Sequence, residues 1–390
     1  MFQRSGLKSE KKKKIAVLGQ KSVPSRRGGI EQVVTNMYPI ITEHGYQVTC
    51  YNRRGECKEN EYGEIIRERY YQGILLKTVP AIKKRGLSAV TSSFFAAVFS
   101  AVGKYDIVHF HAEGPCAMIW IPKLFGKKCI ATVHGLDWQR DKWKNSLGTG
   151  YIKLGEKIMV RWADEIIVLS ENIKNYFSNT YGRECTYIPN GVALPKRRPA
   201  NIIEEKFGVT RNSYYCTLSR LAEEKGIHYL IRAYQNLSTD KKLVIAGHSG
   251  DSDDYVRQLK EIASGNPNII FTGFVTGELL AELYSNAYVY ILPSNLEGMP
   301  LTLLEAMSYG CCVIGSDIPE IMEVVEDKAV IFRKGDEKDL TRKMQMLEDQ
   351  PEIVEEYRKH VAEFITQKYS WKKTADMTIA LYDKVMGMER

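Results

Sequence analysis

The sequence predicts an α/β protein of two doubly wound domains in tandem, and three observations carry that prediction. The chain has 390 residues, too many for one ordinary core and enough for two domains of about 190 each. Short apolar runs alternate with stretches of helical apolar spacing, the pattern of βα units laid on a parallel sheet. A second set of such units begins after Asn190-Gly191.

In the first set, Lys14-Ile-Ala-Val-Leu-Gly19 is a strand ending in Gly. Ile30 to His44 carries helical spacing closed by Gly45, and Tyr46 to Tyr51 alternates like a strand. The pattern recurs at Asp106 to His111, Lys128 to His134 and Asp164 to Leu169. In the second set, strands are expected near Tyr214 and at Lys242 to Ala246, Asn268 to Thr272, Val289 to Pro293 and Cys312 to Ser316. Residues 1–13 read as a disordered basic tail, 14–188 as the first domain and 189–369 as the second. Strand C-termini of two such domains face each other across a cleft. Gly86 to Gly103 has no charge, contains Phe94, Phe95 and Phe99, and follows Lys83-Lys84-Arg85. Its first reading is core packing before the Asp106 strand, and its second an interfacial contact. Its Ser and Ala content argues against a spanning helix.

Composition narrows the class. At 44% hydrophobic and 26% charged, the chain is globular. After Lys11 to Lys14 the apolar run Ile15 to Gly19 is too short for a secretory h-region. The eight cysteines include no C-x-x-C pair, as expected of reduced core residues in a cytoplasmic protein. Residues 1–200 hold 33 Lys+Arg against 17 Asp+Glu, a net of +16, which leaves 22 against 30, or −8, for the remainder. A basic first half suits an anionic membrane surface, the alternative being a solvated face and a basic tail. Nucleic acid is not expected, because no aromatic-basic motif accompanies the charge.

Glu297-Gly-Met-Pro-Leu-Thr-Leu-Leu-Glu305 says most about function. It follows an apolar strand and precedes a helix that runs from Leu301 until Gly310 stops it. Amides at a helix start have no internal partner and carry partial positive charge, so they suit a diphosphate. A ligand spanning roughly 10 Å can bridge Glu297 in the loop and Glu305 a turn inside the helix. The alternative is a capping Glu297 and a solvent-facing Glu305. Arg220 and Lys225 flank another strand-to-helix turn, where Lys225-Gly226 opens a helix and two cations can meet one pyrophosphate. Gly28-Gly29 allows close backbone approach to a ligand, but no G-x-G-x-x-G follows the first strand, which weakens a dehydrogenase reading. His109 and His111 share one face of a strand, and His134 ends the next. A zinc site is not expected from that spacing, since no H-E-x-x-H accompanies it. The D-x-D within Asp251-Ser-Asp253-Asp254 reads as helix capping. No metal and no cofactor are expected.

Taken together, these motifs resemble those of the glycosyltransferase family 4 group of retaining enzymes with the GT-B fold, from about Lys14 to Leu381. EGMPLTLLE matches the E-x7-E motif, and Thr217-Leu-Ser-Arg220 through Lys225-Gly226 the diphosphate element. Ile188-Pro-Asn-Gly191-Val192 matches the entry to the second domain, and Val133-His134-Gly135 the T-H-G-like site. The resemblance implies two Rossmann-like domains, with the last helix, residues 370–390, packing back on the first.

It also implies that Arg220 and Lys225 hold the donor diphosphate, Glu305 the ribose and Glu297 the donor sugar. The backbone of Gly298, Met299, Pro300 and Leu301 lies between, and Gly28 and Gly29 sit beside the donor. His134 is placed near the transferring sugar, and no dedicated nucleophile is implied. Arg26 and Arg27, with Asp137, Arg140, His109 and His111, are the acceptor candidates, and exposed arginines or core histidines are the alternatives. The family implies a front-face reaction in which the leaving phosphate helps take the acceptor's proton. His134-Gly-Leu-Asp-Trp-Gln-Arg-Asp-Lys-Trp143 resembles enzymes of capsule, exopolysaccharide and O-antigen assembly, some of them rhamnosyltransferases. The expected donor is a UDP-, GDP- or dTDP-sugar, and the expected acceptor an oligosaccharide, as one linked to undecaprenyl diphosphate. A sugar-nucleotide epimerase, a glucan-synthase-like enzyme and a non-catalytic scaffold are the competing readings. Cys311-Cys312 and Asp317-Ile-Pro-Glu320 depart from the family pattern after the second glutamate.

Overall fold

The computed structural model describes residues 12–60, 62–84, 86–140, 147–249 and 253–388. The first sheet contains β1 (Lys14–Leu18), β2 (Gln47–Arg53), β3 (Tyr70–Tyr71), β4 (Ile74–Val79), β5 (Ile107–His111), β6 (Lys128–Val133), β7 (Glu165–Val168) and β8 (Thr186–Tyr187). Their order is β3-β4-β2-β1-β5-β6-β7-β8, parallel throughout except for the β3–β4 pair. The second sheet contains β9 (Tyr214–Leu218), β10 (Lys242–Ala246), β11 (Ile269–Gly273), β12 (Val289–Leu292), β13 (Cys312–Ser316) and β14 (Val330–Phe332). Its order is β11-β10-β9-β12-β13-β14, parallel throughout.

Each sheet reverses its winding once, between β1 and β5 in the first and between β9 and β12 in the second. Loops that leave neighbouring strands in opposite directions open a crevice there. Gly28-Gly29 follows β1, Arg220 and Lys225 follow β9, Glu297 follows β12, and His134 follows β6. Helices cover both faces, so β1 is continuously apolar: Ile15, Ala16, Val17 and Leu18 have no exposed surface.

The chain enters the second domain at Pro189-Asn190-Gly191 and returns at Tyr369-Ser370. Val192 N donates to Tyr369 O at 3.1 Å, and a Cβ on Gly191 would lie 2.2 Å from Trp371 N. Ser370 caps the last helix, Trp371–Val385, by accepting from Lys373 N. That helix buries Ala375, Thr378, Leu381 and Tyr382 and packs on the first-domain helix Gly29–Glu43, so one apolar cluster runs through both domains.

Helix Leu87–Val102 packs on the first sheet as expected, with Ala96, Ala97 and Ala101 in the core and Phe95 against them. Its buried face is Ser92, Ser93, Ala96, Ala97, Ser100 and Ala101, small residues that let it lie close to the sheet. Phe94 and Phe99 are exposed instead, as are Leu87 and Val102. Trp120, Leu124 and Phe125, in and after the neighbouring helix Trp120–Leu124, are exposed beside it. Among the described residues no helix is long and apolar enough to cross a membrane. Seven cysteines are buried and Cys57 is exposed.

Residues 1–11 of the basic tail, Arg85, Asp141 to Trp143 and Asp251-Ser252 of the D-x-D lie outside the described residues. The helix after the D-x-D begins at Asp253, and Asp254 pairs with Arg257.

Candidate active site

In the second domain, β9 and β12 deliver two loops that press together. Gly226 has φ +64, and a Cβ there would lie 2.1 Å from Pro293 O; glycine meets both demands. Helix Ile227–Gln235 therefore starts directly behind Lys225. Lys225 Nζ lies 2.6 Å from Glu297 Oε1, and Ser294 Oγ donates to the same oxygen at 2.7 Å. Burial pulls the Lys225 ammonium down in pKa, while Glu297 pushes the other way. Arg220 Nη2 lies 3.4 Å from Glu224 Oε1.

Glu305 sits on the fifth residue of helix Leu301–Ser308. It accepts from Tyr284 Oη at 3.3 Å and from Arg26 Nη2 of the other domain at 2.5 Å. Arg26 was expected to grip an acceptor phosphate; it pairs with Glu305 instead, because the loop after β1 lies across the start of that helix. Gly29 faces the same place, its added Cβ falling 3.9 Å from Leu301 Cδ1. Gly28 is extended, and a Cβ there would meet Glu31 Oε2 at 2.1 Å. Arg27 forks onto Glu59 at 2.9 and 2.7 Å. Met299, Pro300 and Leu301 are buried. Met299 Sδ accepts from Asn190 N at 3.1 Å, which fixes the domain entry.

First-domain loops close the other wall. A Cβ on Gly298 would lie 1.8 Å from His134 O, so the two domains touch there backbone to backbone. Asp137 and Arg140 pair at 2.9 Å, and Asp137 holds the Arg140 guanidinium up in pKa. Arg140, Arg220, Lys225, Glu224 and Glu297 line one cavity of about 30 Å³, so Arg140 joins the two expected phosphate cations. Glu113, which no sequence signal marks, is fully buried and accepts from Asp137 N at 2.9 Å.

His109 and His111 have no exposed surface, which corrects their assignment to the acceptor. They stack at 4.5 Å behind His134, because inward-pointing positions of a central strand face the last helix and not the cleft. Burial pushes the His134 imidazole down to about 4 and His109 to about 3, so His134 is neutral near pH 7. The departures after the second glutamate also have contacts: Glu320 Oε1 accepts from Asn172 Nδ2 of the first domain at 2.7 Å.

Arg140, Arg220 and Lys225 thus converge on one cavity next to the start of helix Ile227–Gln235, where Glu224 and Glu297 also lie. Cations and helix-start amides of that kind suit a phosphate-bearing ligand.

The family described as Glycosyltransferase Family 4 matches residues 27–195, and that described as Glycosyl transferases group 1 matches residues 201–367. An uncharacterised glycosyltransferase of Methanocaldococcus jannaschii, MJ1607, is 28% identical over 74% of this chain and 77% of its own length. The O-antigen chain mannosyltransferase B of Escherichia coli is 28% identical over 48% of this chain and 50% of its own. The structure of Anabaena HepE in complex with UDP-glucose superposes with a TM-score of 0.77 at 15% identity, covering 95% of this chain and 99% of that one. With both family profiles matched in order and both sheets wound as described, the chain belongs to the glycosyltransferase family 4 group of GT-B-fold glycosyltransferases.

Proposed function

We propose that this glycosyltransferase moves one hexosyl or rhamnosyl unit, with retention of configuration, from a nucleotide-diphosphate sugar to a lipid-linked oligosaccharide of a cell-surface polysaccharide. The carrying observation is the convergence of Arg140, Arg220 and Lys225 beside Glu297 in one cavity. Charge grows on the diphosphate as the sugar leaves, and preorganised cations act most strongly there. Glu297 meets the sugar and Glu305 the ribose; Arg26 must yield Glu305 to it. The acceptor hydroxyl then approaches the face from which the phosphate departs, and that phosphate takes its proton. The reading needs no metal, the diphosphate being held by these cations and by helix-start amides. Similarity to a mannosyltransferase of O-antigen chains and to an enzyme solved with UDP-glucose supports the donor class and the pathway.

The test is transfer from UDP-, GDP- and dTDP-hexoses to undecaprenyl-diphosphate-linked oligosaccharide, with EDTA or manganese present. One donor should give a product heavier by one sugar, insensitive to EDTA, with the donor's anomeric configuration by NMR. Inversion, or activity that EDTA abolishes and manganese restores, refutes the mechanism; hydrolysis or epimerisation without transfer refutes the acceptor.

The exposed apolar face favours a second element of this reading, peripheral attachment to an anionic membrane at its cytoplasmic side. Leu87, Phe94, Phe99 and Val102 on one helix adjoin Trp120, Leu124 and Phe125 on another, and Lys83 and Lys84 precede the first. A surface helix without charge on its outer face is unusual for water.

A further inference from the structure

Six side chains form one hydrogen-bonded line that reaches the cleft at His134. Thr132 Oγ1 lies 2.7 Å from His109 Nε2, and His109 Nδ1 lies 2.7 Å from Tyr382 Oη and 2.9 Å from Tyr38 Oη. The two tyrosine oxygens are 3.3 Å apart. Tyr38 Oη lies 2.9 Å from His111 Nε2, and His111 Nδ1 lies 2.8 Å from His134 Nε2. Tyr38, Tyr382, His109 and His111 have no exposed surface, and Thr132 is buried. Burial lowers all three imidazoles in pKa, so each is neutral and carries one N–H and one lone pair.

Such a line runs in one of two senses. In the first, Thr132 donates to His109, His109 to Tyr382, Tyr382 to Tyr38, Tyr38 to His111 Nε2, and His111 Nδ1–H to His134 Nε2. Every proton in the line then has an acceptor, and His134 keeps its own proton on Nδ1. In the reverse sense His109 Nε2–H donates to Thr132. The buried Thr132 hydroxyl proton is then orphaned, because Oγ1 makes no other hydrogen bond among the described residues. An orphaned buried donor costs more than an average hydrogen bond contributes, so the first sense prevails.

We propose that this line holds His134 as the Nδ1–H tautomer, making it a hydrogen-bond donor to a substrate oxygen and not a base, with Tyr38 and Thr132 as positioning residues. The substrate half of this statement rests on the reading of His134 as a cleft residue beside the transferred sugar. The tautomer half does not.

The experiment is side-chain ¹⁵N–¹H correlation spectroscopy of the full chain with ¹⁵N-histidine, His134 being assigned by its loss in His134→Gln. A protonated Nδ1 and a bare Nε2 are expected. Thr132→Val, nearly isosteric, removes the proton that sets the sense and should yield mixed tautomers at His134. Tyr38→Phe should do the same and lower kcat by about tenfold, less than loss of a whole oxyanion-type donor, at little change in donor KM. In a His134→Asn background, whose amide donates independently of the line, Tyr38→Phe should lower kcat no further. A protonated Nε2 on His134 in the native protein overturns the proposal, as does an unchanged tautomer in both Thr132→Val and Tyr38→Phe. Equal loss of kcat from Tyr38→Phe in both backgrounds overturns the positioning role. Because the spectra need no turnover, a wrong acceptor or donor leaves the tautomer result intact.

Discussion

Lys225 Nζ and Glu297 Oε1 lie 2.6 Å apart although 72 residues separate them in sequence. The pair joins the loop after β9 to the loop after β12, and its side chains are only 14% and 7% exposed. It thus holds the two loops in register. Removing the lysine strands a buried carboxylate, whereas removing both charges does not. Lys225→Met should cost about 3 kcal/mol of unfolding free energy in urea titrations, and Lys225→Met with Glu297→Gln should recover most of it. A double variant as unstable as the single one would show that the two charges are not coupled.

Arg220 Nη2 lies 3.4 Å from the buried carboxylate of Glu224. Its charge matters most as the phosphate departs, so Arg220→Ala should lower turnover by about a hundredfold. Retention of more than about half the turnover would remove Arg220 from the diphosphate grip.

The two glutamates should separate in calorimetry. Glu305→Ala is expected to weaken binding of the bare nucleoside diphosphate, and Glu297→Ala chiefly the increment contributed by the sugar. Equal weakening of bare nucleotide by both would contradict the division of roles.

Acid should destabilise the fold through its buried imidazoles. Their pKa values lie below the ordinary 6.5, at about 3 for His109 and about 4 for His134. The unfolded chain therefore binds more protons between those values, so the stabilisation is complete above pH 6.5 and falls as pH drops towards 4. Each group contributes a slope of up to about 1.4 kcal/mol per pH unit. Urea titrations across that range should show the decline, and His109→Asn should flatten it; equal slopes would assign acid sensitivity to other groups.

Flotation with vesicles tests the apolar face. Anionic vesicles should carry the protein at low salt and neutral ones much less, and charge reversal at Lys83 and Lys84 should narrow the difference. Phe94→Gln with Phe125→Gln should remove the salt-resistant part. Equal flotation with both vesicle types, or with neither, would return this face to an ordinary solvated surface.

Sequence by itself determined the architecture and marked one wall of the cleft. Alternating short strands and helices specify two parallel sheets, and Arg220, Lys225, Glu297 and Glu305 stand at strand-to-helix turns whose position is a local property of the chain. Family order carried their roles. The partner of each charge was decided only by tertiary structure. Arg26 binds Glu305 and Arg27 binds Glu59 because a loop's course over the opposite domain is set by packing, not by periodicity. Arg140 enters the cavity of Arg220 and Lys225 because Asp137 turns it there, and Asp137 is held by Glu113. A strand's two-residue period placed His109 and His111 on one face, yet it could not say which face meets solvent. The last helix settles that by covering them with Tyr382, and the same burial that removes them from the acceptor makes them a neutral line behind His134.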